Sequence, residues 1–141
     1  MDSLQPIDIF HLMYDNDPFS KWMGMKLSHI EKGSCTLEMT VKKPMLNGFS
    51  IAHGGISYSL ADSTLAFAAN SHGPQCVSIE TSISHLAPTA EGDQLKAVAK
   101  EKHRGKKTAI YEVTITNQHN KTVALFKGTV YITSKNWNNI K

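Results

Sequence analysis

Gly55-Ile-Ser-Tyr-Ser-Leu-Ala-Asp-Ser-Thr-Leu-Ala-Phe-Ala-Ala-Asn70 is the stretch on which the fold turns. It is rich in Ala, Leu and Ser, and after its opening glycine it holds no Gly or Pro, so it predicts one long helix. Gly73-Pro74 closes it. Upstream, Pro6 begins a short helix with Ile7, Phe10, Met13 and Tyr14 on one face. Asp17 as N-cap, Pro18 at the first helical position and Gly24 as a stop predict a further turn, carrying Phe19 and Trp22. Met25 to Ile30 reads as a strand, and the chain turns at Lys32-Gly33-Ser34. Cys35, Leu37, Met39 and Val41 then alternate with polar residues, a period of two. Lys43 to Ser50, broken by Pro44 and Asn47-Gly48, is a loop.

Downstream of the helix the chain is nearly all strand. Val77, Ile79, Thr81, Ile83 and His85 alternate with Ser78, Glu80, Ser82 and Ser84 until Pro88. Leu95 to His103 is a second strand, followed by the basic turn Arg104-Gly105-Lys106-Lys107. Ala109 to Asn117 and Val123 to Thr133 form a final hairpin across Gln118 to Lys121. One Ala-rich helix between antiparallel strands predicts an α+β fold. A single sheet of about six strands wrapped around that helix is the hotdog arrangement. The other face of such strands needs a cover, which predicts at least a dimer. Residues 1–141 read as one domain, with 1–24 as an N-terminal helical segment and 134–141 as a polar tail.

Composition agrees and excludes several classes. The chain has 141 residues, 40% hydrophobic and 19% charged, the balance of one globular domain. A net charge of +3 is too weak to call for a nucleic acid. Cys35 and Cys76 lie far apart and form no C-x-x-C pair, which argues against zinc ribbons and disulfide scaffolds. The N-terminus carries aspartates where a signal peptide carries lysines. Gly54 to Ser71 is too polar for a lipid-facing span. The expectation is a cytoplasmic protein with no membrane partner. Seven histidines include no H-x-H or H-E-x-x-H pair, so no metal site is read.

Asp62 stands out within the helix. It is the sole charged residue between Lys43 and Glu80, apart from titratable His53 and His72, and its neighbours are Leu60, Ala61, Leu65 and Phe67. An unpaired buried carboxylate costs several kcal/mol, so it is retained when paired, solvated or used. Helical spacing puts Asp62 on a small, polar face with Gly55, Tyr58, Ser59 and Ala66. That face suits a cavity or an interface, and a solvent-exposed helix edge explains it equally well. His53-Gly54-Gly55 opens the helix, where the first N–H groups are free donors able to polarise a carbonyl. A tight turn needing glycine is the plainer account. Two helical turns, about 12 Å, separate these donors from Asp62. A partner chain or a bent substrate could bridge that span.

The pattern Asn47…His53-Gly54-Gly55…Leu60-Ala61-Asp62…Ala66-Phe67-Ala68…Asn70-Ser71 resembles the hotdog-fold acyl-CoA thioesterases of the phenylacetic-acid-degradation type, the PaaI-like family. The likeness continues through Glu91-Gly92-Asp93-Gln94-Leu95, Arg104-Gly105-Lys106 and Val123 to Gly128, and spans Phe19 to Thr133. The resemblance implies hydrolysis of aryl- or medium-chain acyl-CoA thioesters. It makes Asp62 the general base or nucleophile and the Gly54 N–H the carbonyl polariser. Asn47 and His53 position water and thioester, and Ser78 reaches the water from across a dimer interface. It assigns Gly55 to substrate binding. Arg104, Lys106 and Lys107 become contacts for CoA phosphates, against the plainer account of a solvated hairpin tip. It implies dimers paired into homotetramers, and no cofactor, CoA entering as part of the substrate. Phe49, Tyr58, Phe67 and Trp22 could line an acyl pocket, although aromatic residues more often sit in the core. The same fold admits a dehydratase or hydratase of acyl thioesters, or a non-catalytic acyl-CoA binding protein.

Overall fold

Two short helices, each begun by a proline, open the chain. In this computed structural model, which describes residues 2–140, they are α1 (Pro6–Tyr14) and α2 (Pro18–Trp22). The Asp17 carboxylate caps α2 by accepting from the Ser20 N–H at 3.0 Å. α1 buries Ile9 and Phe10, whereas Ile7 is exposed. Phe10 is held edge-on to Phe67 with ring centroids 4.7 Å apart, so Ile9 rather than Ile7 turns inward.

The sheet follows: β1 (Lys26–Glu31), β2 (Ser34–Thr40), β3 (Pro74–His85), β4 (Gln94–Arg104), β5 (Thr108–Thr116) and β6 (Thr122–Asn136). Its order is β1-β2-β4-β5-β6-β3, and every pairing is antiparallel. The long helix α3 (Gly54–Asn70) lies across its inner face. Leu60, Ala61, Leu65, Ala68 and Ala69 are fully buried there against Leu37, Leu95, Ala97, Ala99, Tyr111, Val113 and Ile115. The alanines let helix and sheet approach closely. On β6 the approach requires a glycine, since a Cβ on Gly128 would collide with Leu65 Cδ1. The helix begins one residue earlier than the Gly55 start that its composition suggests. The six-stranded antiparallel sheet around a central helix is the hotdog architecture.

Three expectations need correction. The period of two in β3 does not mark a buried face: Val77 and Ile79 are 55% and 60% exposed. β3 is an edge strand, and its register against β6 shifts between Ser78 and Glu80. A bulge there breaks the alternation. Nor is the outer face of the sheet apolar. Glu38, Lys96, Lys100, Glu112 and Lys127 stand on it, and exposed apolar side chains gather instead on β3 and β6, at Val77, Ile79, Leu125 and Tyr131. Finally, the polar segment 134–141 opens as the end of β6 and a 3-10 turn, Trp137–Asn139. The Trp137 indole N–H donates to Asn70 Oδ1 at 2.8 Å, clasping the end of α3. Among the described residues no helix is long and apolar enough to cross a membrane.

Candidate active site

α3 runs antiparallel to edge strand β3, and one stripe of the helix lies along that strand. Gly54, Tyr58 and Asp62, four residues apart, share this stripe. At its first turn, Gly54 lies under His85: a Cβ there would sit 3.2 Å from His85 Nε2. One turn on, the Tyr58 and Thr81 hydroxyls hydrogen-bond. A turn further, Asp62 meets the side chain of Ser78. Burial pushes the Asp62 carboxyl above the usual aspartate range, and the Ser78 hydroxyl pulls it part of the way back. Among the described residues no cation forms an ion pair with Asp62. A carboxylate that is half-buried and unpaired is better suited to accepting a proton than an exposed one. Ser78 thus stands beside Asp62 within the same chain.

The N-terminal turn is built by His53. Its Nδ1 accepts from the Gly55 N–H at 2.8 Å, making His53 the N-cap. The acceptor role leaves the ring proton, in the neutral form, on Nε2. A Cβ on Gly55 would lie 3.0 Å from His53 Nδ1, so this glycine serves the cap. The Gly54 N–H has no acceptor among the described residues. Gly54 opens into a cavity of about 480 Å³ lined also by Asn47, Ser57, His85, Pro88 and Thr89. Asn47 Oδ1 accepts from the Phe49 N–H at 2.9 Å, which folds the 47–51 loop and leaves the Asn47 side-chain amide to donate. Gly54, Asn47 and His53 therefore form one half of a site and Asp62 with Ser78 the other. The two halves stay about 12 Å apart along the helix axis in a single chain.

Within one chain the basic turn lines no part of the Gly54 cavity. Arg104 is half-buried at the far end of α3, pairing with Glu101 at 3.6 Å. Glu101 also accepts from the Tyr111 hydroxyl at 2.8 Å and lies 2.9 Å from His72 Nε2. The contacts to Glu101, Ala69 O and the Tyr111 hydroxyl all run through Arg104 Nη1. Lys106 and Lys107 are exposed and line no part of the Gly54 cavity. Among the aromatic candidates, Phe67 is core at 2% exposure, whereas Phe49 and Trp22 are exposed at 86% and 61%. Burial pushes the Cys35 thiol up to about 12, leaving it inert. His85 escaped the sequence reading. It is the last residue of an alternating strand, and no local spacing ties it to Gly54, 31 positions earlier.

Comparison with known proteins matches this fold. Residues 49–124, which contain α3 and β3 to β5, match the family model of the thioesterase superfamily. The chain is 43% identical over 118 residues to acyl-coenzyme A thioesterase PaaI of Escherichia coli K12, covering 84% of each protein. The solved structure of the E. coli PaaI protein superposes with a TM-score of 0.91 at 39% identity, over 93% of this chain and 95% of that one. A Streptococcus mutans UA159 protein solved with acetyl-CoA bound has a TM-score of 0.77 at 31% identity, over 79% and 90%. With the family model matched over more than half of the chain and the fold and sequence shared over most of the length of PaaI, the chain belongs to the thioesterase superfamily.

Proposed function

We propose that this protein hydrolyses acyl-CoA thioesters to a free acid and CoA. The observation that carries the reading is the unpaired, half-buried Asp62 carboxylate on the same helical stripe as the free Gly54 N–H. An N–H at a helix start stabilises the oxyanion that develops on the thioester carbonyl. Asp62 either removes a proton from the attacking water or attacks the carbonyl itself. Ser78 holds the water or the carboxylate, and the free amide of Asn47 contacts the thioester. His53 acts by holding the turn that presents Gly54. His85, which faces Gly54, adds a second polar contact at the carbonyl end. The relatives named above as acyl-CoA thioesterases support this chemistry.

The halves of the site meet if two chains pair along their β3 edges. That strand leaves a row of unpaired backbone groups beside exposed Val77 and Ile79. An antiparallel partner there places the first turn of its helix near Asp62 and Asp62 near the partner's first turn. Aryl- or medium-chain acyl groups are the proposed substrates. The test is release of free thiol from a panel of acyl-CoA esters, with aryl-acetyl, medium-chain and crotonyl members. Thiol release from at least one saturated or aryl ester, unchanged by EDTA, is the expected result. No thiol from any ester overturns hydrolysis. Hydration of crotonyl-CoA without thiol release selects the hydratase reading.

A further inference from the structure

Apart from the cavity at Gly54, a trough of about 510 Å³ lies on the outer side of the sheet. Its floor is a cross-strand row: Lys26 on β1 pairs with Glu38 on β2, which pairs with Lys96 on β4. One wall is Lys42, whose Nζ would lie 3.1 Å from a Cβ on Gly24. Gly24 has φ +74°, so a side chain is disfavoured there on conformational grounds as well, and Lys42 can lie across it. The opposite wall is the β5–β6 turn, with Asn117 and Gln118. The turn is rigid: Asn117 Oδ1 accepts from the His119 and Lys121 N–H groups at 2.9 and 3.1 Å, and Gln118 donates to Asp93 at 2.8 Å.

Three lysines against one glutamate leave the trough a surplus of two positive charges. None of the three forms an ion pair among the described residues, although another exposed lysine, Lys102, pairs with Glu112 at 3.6 Å. Ammonium groups that line one trough repel one another, and the repulsion is relieved by a multiply charged anion. Lysine holds phosphate as a point charge, and side-chain amides on the facing wall add directed hydrogen bonds. We infer that this trough binds a small ligand bearing a diphosphate or two closely spaced phosphates. Leu95 and Ala97 point inward on either side of outward Lys96, so the sheet itself separates the trough from α3 and the Gly54 cavity. Two sources share this chemistry: a free phosphorylated metabolite, and the nucleotide end of a CoA wrapped around the sheet edge.

The test is isothermal titration of the protein with inorganic pyrophosphate at low ionic strength. It is repeated on Lys26→Gln/Lys96→Gln and, as a control for general surface charge, on Lys32→Gln/Lys135→Gln, which lie outside the trough. All four side chains are exposed, so both variants should keep the wild-type melting temperature. The expected result is saturable binding that the first variant weakens by about tenfold or more and the control changes by less than about twofold, with affinity falling as salt rises. No binding, or equal weakening in both variants, overturns the site. The source is separated by KM in the first variant. A rise for acyl-CoA but not for acyl-pantetheine assigns the trough to CoA, and an unchanged KM for both assigns it to a free ligand. Pyrophosphate binding is read without turnover, so its failure is distinct from failure of the thioesterase reading.

Discussion

At the scale of single residues the central claim rests on Asp62. Asp62→Asn keeps the volume and removes the basic oxygen, so kcat should fall by roughly 10²–10⁴ for a lost general base. Burial raises the carboxyl above its unfolded value of 3.8. Ionised Asp62 therefore costs stability at neutral pH; the cost shrinks as pH falls through the raised folded value and is gone below the unfolded one. The asparagine variant should accordingly melt at or above the wild-type temperature. A structural, paired aspartate gives the opposite result, lower stability with activity retained. Ser78→Ala tests the same carboxyl from its neighbour. Ser78 pulls the Asp62 pKa down, so its loss moves the pKa further up. The base works only when ionised. The acidic limb of kcat/KM should therefore lie at higher pH in Ser78→Ala than in the wild type. A limb that stays in place would remove Ser78 from the proton-accepting unit.

At the scale of elements, α3 must be held at a fixed height above the sheet for its stripe to lie along β3. Gly128 sets that height, because Leu65 occupies the space of its missing Cβ. Gly128→Ala should cost roughly 1–3 kcal/mol by overpacking, measured by denaturant titration. Because it also lifts the helix, kcat should fall beyond what the lost folded fraction explains. The far end of the helix is fastened separately. Asn70 takes the Trp137 indole and receives the Cys76 N–H, while Arg104 reaches the Glu101, His72 and Tyr111 cluster. The β4–β5 turn takes part in this fastening through Arg104.

At the scale of the whole molecule the question is whether one chain suffices. The Gly54 donor and the Asp62 base lie too far apart along one helix to act on the same carbonyl. Complementation between two inactive variants decides it. Gly54→Pro removes the N–H at the first helical position, where proline is tolerated. The preceding His53 is already extended, at φ −58° and ψ 139°, as a pre-proline residue requires. Each of Gly54→Pro and Asp62→Asn should be inactive alone. Mixed and reassorted one to one, they should recover about a quarter of the wild-type rate, since half the dimers are mixed and each holds one intact site of two. No recovery, with light scattering showing mixed dimers, would place the whole site in one chain.

What the residues determined by themselves was local. The composition of 55–70 dictated the helix, its spacing put Asp62 on the face of Tyr58 and Ser59, and the Asp17-Pro18 pair dictated where α2 begins. The alternation of Cys35, Leu37 and Met39 correctly marked the buried side of β2. The same rule failed in β3, because a period of two reports a strand's two sides and says nothing of its position in the sheet. That position comes from pairing with β6, where Cys76 meets Ile132 across 56 residues of chain. Only this long-range pairing made β3 an edge and left Val77 and Ile79 exposed. It also carried Ser78 to Asp62 and His85 to Gly54. The withdrawal of Arg104 into the Glu101 cluster was likewise decided by tertiary structure. A charge's role depends on which partner lies within a few ångströms, and that distance is set by packing between elements rather than by neighbours in sequence.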